Sequence, residues 1–332
     1  MVNELAEEIG HLKTKALRGE GVSEEEALRL ADAPLEPLVD AADEIRESNM
    51  GDGVDTCSII NAKSGGCAED CGFCAQSNHY DTGVDEYDYL DPEEILEAAK
   101  RAEEDGSNRF GIVVAERGID KQKRPDEFEK VLESIRLIRD ETDVEPDGSL
   151  GVLTREEAED LAEAGLQHYN HNIETAPSYF DEVISTHDYD DRVRTIQIAQ
   201  EVGLKTCVGV IFGMGEEMEH RIEAASELRR LDVDSIPVNI LNPVPGTPFE
   251  SYSKITVDEI LRSVSIYRFM MPEKVIRITG GREENLKDRQ PEILESGANG
   301  LLIGDYLTTE GQNAQEDIEM IQNAGRRVED LE

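Results

Sequence analysis

The chain contains no tryptophan, aromatic residues make up only 5% of it, and just five of its 332 residues are cysteine. Basic residues are scarce as well: 33 Lys and Arg stand against 75 Asp and Glu, a formal net charge of −42. A negative surplus of that size repels nucleic acid and anionic lipid surfaces. Long apolar runs are also missing, and the best of them, "FGIVVA" and "VGVIF", are far too short to span a bilayer. The opening residues, "MVNELAEEIGHLKTKALRGE", carry acid where a secretory signal needs an apolar stretch, so a cytoplasmic protein is expected. An odd number of cysteines, three of them within eight residues, speaks against a disulfide framework.

What is abundant is acid, and it is dispersed. Stretches such as "GVSEEEALRLAD" and residues 81–106 carry it along the chain, whereas an interaction tail would gather it in one block. Even dispersal reads as solvation of the whole surface for a salty cytoplasm, and a halophilic source is expected. Hydrophobic residues make up 38%, enough for a packed core.

Residues 1–50 read as a helical extension, with Ser23 and Glu26 spaced as a capping box. "GDGV" (51–54) breaks it. Eight β-prone runs then alternate with amphipathic stretches: 56–62, 109–115, about 146–153, 166–173, 204–211, 235–241, 274–279 and 300–304. Helix starts are marked by Asp91-Pro92 with Glu94, Thr154 with Glu157 and Thr256 with Glu259, and helix ends by Gly106, Gly165, Gly203 and Gly297. This alternation predicts an α/β fold, a (β/α)8 TIM-type barrel over residues 51–325, followed by a short acidic tail at 326–332. The third run is the weakest, since Pro146, Asp147 and Gly148 all disfavour a central strand.

The cysteine cluster falls in the loop after the first strand, at the barrel end that carries chemistry. Cys67-x3-Cys71-x2-Cys74 offers three thiolates with no fourth ligand beside them. A closed structural zinc site wants four ligands, and Cys57 is the available fourth. An iron–sulfur cluster on three thiolates leaves one iron open for a substrate. With Phe73 before the last cysteine, the pattern resembles the signature of the radical S-adenosylmethionine (SAM) enzymes, in which the open iron of a 4Fe–4S cluster chelates SAM.

The wider stretch "SIINAKSGGCAEDCGFCAQS" resembles the biotin synthase family. So do "YNHNIET" (169–175), "GVIFGMGE" (209–216), "SIPVNILNPVPGTP" (235–248) and "IRITGGRE" (276–283), in family order across about residues 40–325. Strand alternation puts Asn170, Asn172 and Glu174 on one face, where three polar groups can converge inside the barrel. The resemblance implies that Asn172 and Glu174 hold the SAM ribose and that the 213–216 turn, with Gly213, Gly215 and Glu216, lines the SAM site. It implies that Asn170 and Asn239 bind the ureido ring of dethiobiotin, and that no side chain serves as acid or base. It further implies a homodimer and a small-protein electron donor of the flavodoxin or ferredoxin type.

Mid-strand Cys207 and Arg277 match positions that hold an auxiliary 2Fe–2S cluster in this family, the donor of sulfur. The match fails at two other ligand positions, where Gly111 and Asp147 stand in place of cysteines. Cys57 is the available compensation, giving a variant cluster on Cys57, Cys207 and Arg277 with the Asp147 carboxylate. Two rival readings are a related radical enzyme with another substrate, such as lipoyl-type sulfur insertion, and a non-catalytic iron–sulfur or zinc protein. His79, His168, His171, His187 and His220 show no metal-ligand spacing, and His171 reads as packing.

Overall fold

The computed structural model describes residues 2–307 and 311–329. Three helices open the chain: α1 (Val2–Ala16), α2 (Glu24–Leu30) and α3 (Leu35–Met50). The capping box forms as expected, with the Ser23 hydroxyl accepting from the Glu26 amide at 3.2 Å and the Ser23 amide donating to the Glu26 carboxylate at 2.7 Å. Buried Leu38, Ala41, Ala42 and Ile45 on α3 belong to the same apolar core as the helix Val257–Met270.

The strands are β1 (Gly53–Lys63), β2 (Arg109–Val114), β3 (Glu145–Ser149), β4 (His168–Asn170), β5 (Lys205–Cys207), β6 (Val210–Phe212), β7 (Ser235–Ile240), β8 (Val275–Ile278), β9 (Gly300–Leu302) and β10 (Arg327–Val328). All pair in parallel, and β9 returns to β1 through Asp55–Gly300, Thr56–Leu301 and Cys57–Leu302. The result is a closed eight-stave barrel with helices outside it, a TIM-type fold. β10 lies in the stretch read as a tail, and it adds to the outer end of β1 by pairing Arg327 with Gly53 and Val328 with Val54.

Two of the expected strands come out differently. The run at 204–211 divides into β5 and β6, because at Gly209 the backbone passes so near β7 that a Cβ would stand 1.9 Å from the Pro237 carbonyl oxygen. The run at 166–173 keeps only three residues as β4, and Glu174 rejoins the sheet through a bridge to Val210. The weak third strand forms all the same, since both neighbours supply partners: Phe110 pairs with Pro146, and Asp147 with His168. Helix ends follow the glycine signal, as at Gly165, which caps its helix at φ 112°.

Candidate active site

A cavity of about 700 Å³ opens inside the barrel and reaches the loop after β1. That loop is pinned on several sides. The Asp70 carboxylate accepts from the amides of Ser185 at 2.9 Å and Thr186 at 3.1 Å, and Gln76 Oε1 accepts from Asn61 Nδ2 at 3.1 Å. Gly72 donates to the Val183 carbonyl at 2.9 Å, and a Cβ there would meet the Phe249 ring at 2.9 Å. Cys67, Cys71 and Cys74 all line the cavity from this loop. Burial pushes all three thiols up, Cys74 to about 11, and coordination to a cationic group would stabilise their thiolates. Among the described residues no three Cys, His, Asp or Glu side chains gather as a single metal ion requires. Cys57 lies apart from the loop, on β1 and buried in the barrel. Three separate thiols suit a sulfide-bridged cluster, where each thiolate meets its own iron, better than a closed zinc tetrahedron.

Asn170, Asn172 and Glu174 line the same cavity, as their shared face predicts, and Asn239 lines it from β7. Their amide orientations follow from backbone donors. Asn172 Oδ1 accepts from the Gly209 amide at 2.9 Å, and Asn239 Oδ1 accepts from the Gly280 amide at 3.0 Å and the Thr279 hydroxyl at 2.8 Å. In both, the carbonyl end is anchored, so the NH₂ end is the part left to donate. Glu174 holds a left-handed backbone at φ 65°, a strained conformation of the kind that collects at functional sites. Its Oε2 has no hydrogen-bond partner although buried. Burial pushes this carboxyl up, opposed by the Arg192 guanidinium at 3.2 Å.

Arg192 belongs to a chain of contacts that the sequence does not announce. Its Nη1 donates to the Asn172 carbonyl at 2.8 Å, and its Nε donates to His187 Nε2 at 3.0 Å. His187 Nδ1 lies 2.6 Å from the Glu69 carboxylate, inside the cysteine loop. Since Nε2 accepts, Nδ1 carries the proton and donates it to Glu69. Glu69 is desolvated, yet His187 and Thr186 hold its carboxyl down to about 2. A continuous relay, Glu69–His187–Arg192–Glu174, thus ties the cysteine loop to the far wall. His187 carries no ligand spacing in the sequence, and only the fold brings it here. His171 is buried against the Tyr169 ring, with centroids 6.4 Å apart, and burial holds it well below the usual imidazole range.

Deeper in the barrel, Cys57, Asp147 and Arg277 form part of the cavity wall, with Cys207 beside them. Arg277 Nη1 donates to Cys207 Sγ at 3.5 Å. Its Nη2 stands 2.9 Å from Asp55 Oδ1, an ion pair too bent to count as a hydrogen bond, so neither atom has one. Burial pushes Cys57 up to about 12 and Asp147 up to about 6, with Arg277 opposing both.

Gly213, Gly215 and Glu216 do not line the cavity. Glu216 folds back on its own turn, accepting from the Gly213 amide at 2.8 Å, the Met214 amide at 2.6 Å and Arg221 Nε at 2.7 Å. Its carboxylate is thus occupied in shaping the turn.

Three cysteines at the mouth of a parallel barrel, on the wall of a cavity that polar side chains also line, define a class, and residues 62–229 match the radical SAM superfamily model. The barrel is similar to the crystal structure of methylornithine synthase, with a TM-score of 0.82, 20% identity and coverage of 96% of this chain and 97% of that one. It is also similar to the FeFe-hydrogenase maturase from Carboxydothermus hydrogenoformans, with a TM-score of 0.80, 19% identity and coverage of 98% and 80%. These likenesses concern the fold. Residues 237–327 match the Biotin and Thiamin Synthesis associated domain. The chain is 55% identical over 314 residues to the biotin synthase of Natronomonas pharaonis, covering 94% of this chain and 85% of that one. It is 45% identical to the biotin synthase of Geotalea daltonii, covering 96% of each. The chain belongs to the biotin synthase family and is a radical SAM enzyme that inserts sulfur. Among the described residues no helix is long and apolar enough to cross a membrane.

Proposed function

We propose that this chain converts dethiobiotin to biotin, with Cys67, Cys71 and Cys74 holding the 4Fe–4S cluster and an auxiliary iron–sulfur cluster in the barrel donating the sulfur. When bound, the 4Fe–4S cluster and SAM would supply the radical chemistry, one SAM-derived 5′-deoxyadenosyl radical for each of the two hydrogen atoms removed from saturated carbons. The observation that carries the reading is the one cavity wall shared by the three cysteines, Glu174 and the asparagines. Asn172 and Glu174 hold the SAM ribose, the carboxylate accepting from hydroxyls through its unpartnered Oε2. Arg192 aims Glu174. Asn239 and Asn170 grip the ureido ring, with the free NH₂ of Asn239 donating to its carbonyl. Gly213 and Gly215 serve the SAM site by shaping a turn that Glu216 stabilises. No side chain acts as general acid or base; the barrel positions the carbons and excludes water.

A flavodoxin- or ferredoxin-type protein supplies electrons, and the working unit is a homodimer; family resemblance supports both. Substrate dependence tests the reading against its rival. With the reconstituted enzyme, 5′-deoxyadenosine should form on adding dethiobiotin and not on adding an octanoylated lipoyl domain. The opposite pattern would overturn the assignment.

A further inference from the structure

We infer that Tyr306 is a positioning residue for the substrate: its hydroxyl, clamped on the Glu283 carboxylate, fastens the segment after β9 to the turn that orients Asn239, and so fixes the substrate end of the cavity. The inference rests on the reading that dethiobiotin is the substrate. It gives a role to a side chain outside the blocks that carry the family resemblance.

The first support is where the pair stands. Tyr306, Leu307 and Glu283 all line the cavity. The Tyr306 hydroxyl lies 2.7 Å from each oxygen of the Glu283 carboxylate. Burial pushes the phenol above its usual range, so it keeps its proton and donates it. Glu283 Oε1 also accepts from Arg282 Nη2 at 3.0 Å and from the Gln312 amide at 3.3 Å. Of these three partners, only Tyr306 reaches Oε2.

The second support is what Glu283 hangs on. Two residues before it, Gly281 holds φ 80° hard against β7, where a Cβ would stand 1.9 Å from the Ile240 carbonyl oxygen. The Ile240 amide donates to the Gly280 carbonyl at 2.8 Å, while the Gly280 amide holds Asn239 Oδ1 at 3.0 Å. Asn285 Nδ2 adds bonds to the carbonyls of Gly281 at 2.8 Å and Leu241 at 3.3 Å. The turn cannot shift without disturbing Asn239. Glu283 sits in the short helix Arg282–Leu286 that continues this turn, and it passes the turn's position on to Tyr306.

The third support is that the segment is fastened twice, once to each half of the site. The Leu307 carbonyl accepts from Asn61 Nδ2 at 3.1 Å, and the same nitrogen donates to Gln76 of the cysteine loop at 3.1 Å. Tyr306 therefore serves the substrate half and Leu307 the cofactor half. Removing the phenol oxygen leaves the second fastening in place, so the loss should fall on dethiobiotin and spare SAM. A hydrogen bond to a charged group is worth about 10- to 150-fold in an equilibrium. Apparent affinity falls with the fraction of protein in the competent arrangement. The Glu283 side chain is 25% exposed, and water softens the loss, which places the effect at the lower end.

The test is isothermal titration of the reconstituted enzyme with dethiobiotin and, separately, with SAM. Tyr306→Phe should raise the Kd for dethiobiotin about tenfold, with the Kd for SAM and the iron content unchanged. In turnover its KM for dethiobiotin should rise while kcat holds. Glu283→Gln keeps an acceptor and should lose less affinity than Glu283→Ala. The double variant Tyr306→Phe/Glu283→Ala should bind dethiobiotin no more weakly than Glu283→Ala, since both changes break one contact. Unchanged dethiobiotin affinity in Tyr306→Phe, or equal weakening of dethiobiotin and SAM, would overturn the inference and leave the substrate reading standing. A wild-type enzyme that binds no dethiobiotin would defeat that reading, and the inference with it.

Discussion

Replacing Glu216 by alanine should destabilise the fold and leave SAM binding nearly untouched. The Glu216 carboxylate is buried and accepts from two backbone amides and from Arg221 Nε. Its loss strands Arg221, itself 4% exposed, with the half-exposed Glu259 carboxylate and weaker contacts as its remaining partners. Breaking one side of a buried ion pair costs about 3–5 kcal/mol. Unfolding entropy of about 2.1 cal/mol/K per residue over 332 residues comes to about 0.7 kcal/mol/K. The melting temperature of Glu216→Ala should therefore fall by about 4–7 °C. Differential scanning calorimetry of apoprotein in high salt reads this directly, and isothermal titration of the reconstituted enzyme reads SAM affinity. An unchanged melting temperature with SAM affinity down more than tenfold would refute the reasoning and turn Glu216 toward the cofactor.

Cutting the relay at His187 should act on SAM without removing the cluster. His187→Leu should raise the KM for SAM about 5- to 150-fold, the range of about 1–3 kcal/mol for stranded buried partners. His187→Gln should recover part of it, with iron content constant in both. Asn239→Asp keeps the anchored oxygen but reverses the free end from donor to acceptor, so kcat/KM for dethiobiotin should fall by a similar factor while SAM affinity holds. The net charge of −42 should make stability rise with salt. Melting temperature should climb from about 0.1 M to about 1 M KCl, as the screening length shrinks from about 10 Å to about 3 Å. A flat profile would show that the dispersed acid does not limit stability.

The barrel was legible because its signals are local. Alternating β-prone and amphipathic runs, Thr154 with Glu157, and Gly165 each act within a few residues, and the cap and the helix end appear where expected. The cysteine loop was legible for the same reason, its three cysteines lying within eight residues. The division of β5 from β6 was not, because it depends on Gly209 meeting Pro237 from another stave. The same holds for the relay. Glu69, His187 and Arg192 are spread over more than a hundred residues, and only closure of the barrel makes them neighbours. Glu216 shows the converse: its motif was expected to line the cavity, and its side chain instead folds back on its own turn.

The central claim is that the cavity presents two saturated carbons of dethiobiotin to a radical drawn from SAM. The most direct test is to supply the reconstituted enzyme with dethiobiotin deuterated at those two carbons and to analyse the products by mass spectrometry. Biotin carrying new carbon–sulfur bonds, together with deuterium in 5′-deoxyadenosine, is the predicted result. Cleavage of SAM with unlabelled 5′-deoxyadenosine and intact dethiobiotin would contradict it.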